Sequence, residues 1–167
     1  MKYTEVRHLI KTGDMLLWRD YKGGSLRSIV ERWLIRHYTS SPYIHVGIAW
    51  VDHGRVWVMD ISTSGCAPRL LSNCGSFDWV PSPKPLSDKA LYVAFSCFGV
   101  WTYSRWQAIK GALKRLTIGK DSVGQCAEFV LHVLSQDGMA PTNTATPAEC
   151  ANGALLSWGT TVHSIQQ

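Results

Sequence analysis

Short apolar runs bounded by turns alternate along this chain with stretches of helical spacing, a pattern that predicts a mixture of strands and helices. Gly13-Asp14 forms a turn into the short buried strand Met15-Leu16-Leu17-Trp18. Gly23-Gly24 breaks the chain, and Ser25 is placed to cap a helix running to about Arg36. Leu26, Ile29, Val30, Trp33 and Leu34 fall on one face of that helix, and Arg27, Glu31, Arg32 and Arg36 on the other. After a polar loop at 39–42, the runs from His45 to Val51 and from Val56 to Ser62 flank a tight turn at His53-Gly54. Both arms are rich in β-branched and aromatic residues, and Gly54 supplies the positive φ that a short hairpin needs. Residues 63–89 are rich in Ser, Pro and Gly, which predicts a long excursion with one short strand near Phe77 to Val80. Ala90 to Cys97 reads as a further strand. Thr102 to Leu116 has the spacing of a helix, with Trp106, Ile109, Leu113 and Leu116 as its apolar stripe and Gly119 as its stop. Ser122-Val123-Gly124-Gln125 has capping-box spacing before a helix that continues to about Gln136. A short helix from Pro147 to Asn152 and an edge strand from Gly159 to Ile165 complete the reading. The class this predicts is α+β, with an antiparallel sheet of five or six strands packed against helices in one domain spanning 1–167.

Composition narrows the function classes. At 46% hydrophobic and 17% charged residues the chain is globular in character, and its 167 residues suffice for a real core. The net charge of +5 is spread without a long basic run, so nucleic acid is not an expected partner. The five cysteines (Cys66, Cys74, Cys97, Cys126, Cys150) contain no C-x-x-C pair, which argues against a zinc site and fits a reducing compartment. No metal or other cofactor is expected. The first eleven residues do not read as a signal peptide, and no apolar run approaches the ~20 residues that span a bilayer. The expected location is cytoplasmic.

Two positions carry the chemistry. Cys126 falls in the first turn of a predicted helix, where unpaired N–H groups and the helix dipole favour an anionic sulfur. A lone cysteine is more often a small buried apolar residue. Here, however, a strand in the run Tyr43-Ile44-His45-Val46-Gly47-Ile48 offers an imidazole as its base. If Asp52 and Arg55 flank the hairpin turn, paired residues sum to 107, His45 faces Ser62, and Asp60 lies diagonally opposite on the same face. Asp60 is thus the candidate to hold the second ring nitrogen, with Ser62 or a group elsewhere as alternatives. Gln125 and Tyr43 are the candidates for oxyanion and substrate contacts. His53 reads as a solvated turn residue, and His132 lies on a different helical face from Cys126.

The ordered set Gly13-Asp14-Met15-Leu16-Leu17, His45-Val46-Gly47-Ile48, Val58-Met59-Asp60, Gln125-Cys126-Ala127-Glu128-Phe129-Val130 and Thr146-Pro147-Ala148-Glu149 resembles the circularly permuted NlpC-type papain-like cysteine hydrolases, the group of YiiX-like and lecithin:retinol acyltransferase-like enzymes. The resemblance covers most of residues 12 to 153 and implies a permuted papain-like topology. It also implies a Cys126 nucleophile, a His45 base and Asp60 as the third member. Ile44 and Gln125 depart from the family, where serine and asparagine respectively are common. The activity it implies is cleavage of a peptide or amide bond, as in peptidoglycan, by a thiol peptidase or amidase of bacterial or bacteriophage type that could be carried by a virion. Alternatives on the same fold are a lipid thioesterase, phospholipase or acyltransferase, or a non-catalytic virion structural or binding protein.

Overall fold

The computed structural model describes residues 1–19, 42–62, 64–103, 123–124, 126–143 and 146–167. Among these the elements are α1 (Tyr3–Val6), β1 (Met15–Trp18), β2 (His45–Asp52), β3 (Arg55–Ser62), β4 (Gly65–Leu70), a 3₁₀ turn (Leu71–Asn73), β5 (Phe77–Val80), α2 (Asp88–Ser96), β6 (Thr102–Tyr103), β7 (Val123–Gly124), α3 (Cys126–Ser135), α4 (Pro147–Trp158) and β8 (His163–Ile165). Six strands form one sheet in the order β4-β3-β2-β1-β5-β8, antiparallel throughout. β6 and β7 form a separate parallel pair. The class is α+β.

Alternation along the strands sends side chains to two cores. Met15, Leu17, Val46, Ile48, Met59 and Ile61 pack with Phe129, Val130, Val133 and Leu134 of α3 and with Ala90, Ala94, Ala151 and Ala154 from α2 and α4. Leu16, Trp18, Ala49, Val56, Val58, Phe77 and Trp79 pack on the opposite face with Val6 and Ile10. Each fully buried large aliphatic side chain contributes about 1.5–3 kcal/mol, which explains why the central strand β1 is apolar at all four positions.

The hairpin pairs Ile48 with Met59 and Asp52 with Arg55, the register expected from its turn. His53 (φ 46) and Gly54 (φ 72) both take left-handed backbone, as a two-residue turn between twisted strands requires. Asp14 fastens the turn that leads into β1. Its buried carboxylate accepts from the Lys11 and Ser82 backbone N–H groups (2.8 and 2.9 Å) and from Trp79 Nε1 (2.7 Å), tying the entry of β1 to the exit of β5.

Several sequence expectations need correction. The segment read as a strand from Ala90 to Cys97 is the helix α2: the Ser87 hydroxyl caps it by accepting from the Ala90 N–H, and Ala90 and Ala94, one turn apart, bury its inner face. Tertiary packing and the cap override the β-branched and aromatic content of that run. β4 lies within the stretch read mainly as excursion. Thr102–Tyr103, expected to open a helix, instead pairs with Val123–Gly124, so the capping-box segment contributes a strand before α3 begins. The C-terminal helix runs on to Trp158 and ends at Gly159 (φ 61). The helix expected at 25–36, the loop at 39–41 and the remainder of the 102–116 helix lie outside the described residues.

Candidate active site

His45 opens β2 beside Trp18, its partner across the β1–β2 ladder. The indole and imidazole rings lie 5.5 Å apart, and the indole is itself fixed by a 3.1 Å bond from Nε1 to the Cys74 carbonyl. His45 Nε2 lies 2.6 Å from Asp60 Oδ2, so the diagonal across the hairpin places carboxylate and imidazole together. Asp60 is 1% exposed. Gly47 makes room for it: a Cβ at 47 would stand 2.6 Å from Val58 Cγ2 and 3.2 Å from Asp60 Cβ.

Cys126 is the first residue of α3 and is buried, and its sulfur lies within hydrogen-bonding reach of the His45 ring. With Nε2 turned to Asp60, Nδ1 is the nitrogen left for the sulfur. Helix layer and sheet thus present a thiol and a carboxylate to one imidazole from different sides. Burial alone would lower the pKa of His45. The charge of Cys126 and the hydrogen bond and charge of Asp60 overcome that effect and raise it to about 10. For Asp60, burial opposes the charged form, yet its bonds to His45 and Arg69 hold the carboxyl below its ordinary value.

Arg69 is the residue that sequence reasoning missed. From the edge strand β4 its Nε donates to Asp60 Oδ1 (3.3 Å) and its Nη2 to Asp60 Oδ2, the oxygen that also meets His45, so the carboxylate is gripped by a two-pronged cation as well as by the imidazole. The register that puts it there pairs Asp60 with Ala67 and Val58 with Arg69. An Arg two residues past Asp60's partner would have been a legible signal had β4 been recognised.

Tyr43 lies at the same end of the sheet, two residues before His45. Its hydroxyl donates to Asp78 Oδ2 (2.9 Å), which also accepts from Arg19 Nε (2.8 Å), and Ser164 Oγ donates to Asp78 Oδ1 (2.7 Å). Tyr43 is therefore joined to a partly buried polar knot around Asp78. Gln125 lies outside the described residues. Ser62 pairs with Gly65, and its hydroxyl contacts that of Ser64.

The other thiols differ from Cys126 in surroundings. Burial pushes Cys66 up to about 12, with Cys97 and Asp60 adding to the effect. Burial likewise raises Cys74, Cys97 and Cys150. Among the described residues no group of three or more His, Cys, Asp or Glu is arranged to hold a metal ion, and no helix is long and apolar enough to cross a membrane.

No family model matches the chain, and neither does any curated protein. Among solved structures it is similar to a crystal structure described as the metalloprotein yiiX from Escherichia coli O157:H7, DUF1105. The two are 14% identical, the alignment covers 86% of this chain and 79% of that one, and the TM-score is 0.47.

Proposed function

We propose that this chain is a cysteine-nucleophile hydrolase of permuted papain-like topology, cleaving an amide or peptide bond such as those of peptidoglycan. The observation that carries the reading is the imidazole of His45 set between the Cys126 sulfur and a buried carboxylate 2.6 Å from its Nε2. A thiol, a base and a group that fixes the base's tautomer are the parts that acyl transfer needs.

The Cys126 thiolate, its proton lodged on His45, attacks the carbonyl carbon. The oxyanion that forms is met by backbone N–H groups at the start of α3, aimed where the negative charge develops. His45 gives its proton to the leaving amine as the C–N bond breaks, leaving a thioester on Cys126. Water then attacks the thioester, His45 takes the water's proton, and the C–S bond breaks to release the acid and the thiolate. Asp60 accepts from Nε2–H throughout and keeps Nδ1 directed at the sulfur. Tyr43, beside His45, forms one margin of the substrate cleft.

Incubating wild type and Cys126→Ala with muropeptides and, separately, with phospholipid vesicles tests the proposal. Muropeptide cleavage by wild type, lost by at least about 10⁴-fold in the variant, is the expected result. Release of fatty acid in place of peptide would move the activity to lipid esters. Cleavage retained in Cys126→Ala, or wild-type Cys126 alkylating at neutral pH no faster than Cys66, would overturn it.

A further inference from the structure

The hydrolase cycle described above asks His45 to gain and lose a proton while its neighbour Asp60 stays buried at 1% exposure. Each time the imidazole becomes neutral, a carboxylate in that position would lose its only compensating charge, and a buried unpaired carboxylate takes up a proton instead. A protonated Asp60 is a weaker acceptor for Nε2–H and can present its own O–H to the ring instead, so the ring is held less firmly in the orientation that serves the sulfur. The residue that prevents this must carry a charge independent of the reaction. Arg69 is 27% exposed at its side chain and reaches both oxygens of Asp60 from β4, and a guanidinium remains charged at every accessible pH.

We propose that Arg69 is a positioning residue for the Cys126–His45 pair, holding Asp60 ionised through both protonation states of His45. It acts through Asp60 and does not meet the substrate. This inference rests on the hydrolase reading. Among the described residues, the ionisable groups around Asp60 are His45 from β2, Arg69 and Cys66 from β4, and Cys74 beyond the 3₁₀ turn, while α3 contributes Cys126 through His45. Cys66 and Cys74 are thiols that burial keeps neutral, so Arg69 is the permanent cation of the set.

The pH dependence of iodoacetamide alkylation at Cys126, read by mass spectrometry of its peptide, separates this inference from the reading beneath it. In wild type, Cys126 should be alkylated faster at neutral pH than Cys66 and Cys150, with a rate that falls along an acid limb. In Arg69→Met that limb moves up by about one pH unit, a roughly tenfold slower reaction on the limb. Arg69→Lys restores most of it, because a cation returns without the two-pronged geometry. Folded Arg69→Met with an unmoved acid limb overturns the role of Arg69 and leaves the hydrolase reading standing. Wild-type Cys126 no more reactive than Cys66 defeats the hydrolase reading itself. A wild-type measurement covers the case in which Arg69→Met does not fold: the Asp60 side-chain ¹³C resonance should keep its carboxylate shift while the His45 ring titrates. A carboxyl shift that follows His45 would overturn the inference.

Discussion

Asp14 and Asp60 are equally buried, each 1% exposed, yet they are held by different kinds of partner. Asp14 is held by two backbone N–H groups, an indole and the Ser82 hydroxyl, none of which changes charge over the ordinary pH range. Asp60 is held by an imidazole that titrates and a guanidinium that does not. A carboxylate surrounded by fixed dipoles fastens the fold, whereas one shared with a group that moves a proton can take part in chemistry. Burial alone does not tell them apart, but the partners do.

The largest difference should come from removing the charge at each position. Asp60→Asn should lower turnover by about 10⁴-fold, because the amide can offer N–H to Nε2 and favour the wrong tautomer. Its circular dichroism should stay native. Asp14→Asn should leave Cys126 alkylation unchanged and cost about 1–3 kcal/mol in urea unfolding, since the amide NH₂ would face donors. Equal alkylation rates in the two variants would erase the distinction.

Gly47→Ala sharpens the comparison by pressing on Val58 and Asp60. It should destabilise by about 1–3 kcal/mol through overpacking and slow Cys126 alkylation as well. Adding Val58→Ala should recover stability more than alkylation, because Asp60 Cβ is still crowded. Recovery of both in step would show that Gly47 matters for packing only.

The Asp60 network should also give stability an unusual pH profile. His45 is raised from 6.5 to about 10, so its contribution is complete below 6.5 and is lost as pH climbs towards 10. Asp60 is lowered from 3.8, so its contribution is present above that value and is lost as pH falls below it. Tm should therefore drop between pH 7 and 10, and His45→Asn should flatten that decline. A wild-type Tm that is level across the interval counts against the network. The smallest effect belongs to Ser82→Ala, about 0.5–1 kcal/mol, because that hydroxyl divides its proton between Asp14 and the Lys84 carbonyl.

The hairpin was the most legible part of the molecule. Its β-branched arms and His53-Gly54 turn fix the register locally, so the meeting of His45 with Asp60 follows from counting. The helix at Cys126 was legible from the capping-box spacing before it, although Val123–Gly124 of that segment form β7. β4 was not. Gly65-Cys66-Ala67-Pro68-Arg69-Leu70 lacks alternation and contains a proline, and it forms a strand because it sits at the edge of the sheet, where proline is tolerated. The partner of Asp60 was lost with it. α2 was misread because its run is rich in strand-favouring side chains, and the Ser87 cap and two buried alanines that decide it act through structure outside the run.

The base and its carboxylate lie 15 residues apart on one hairpin, while the sulfur joins from 81 positions beyond the imidazole. Local loops close readily and distant ones late. During folding, His45 and Asp60 can therefore meet well before Cys126 reaches them. On the proposed reading, an incompletely folded molecule has the thiol but not its base beside it, and any reactivity toward acyl groups waits for the finished tertiary structure.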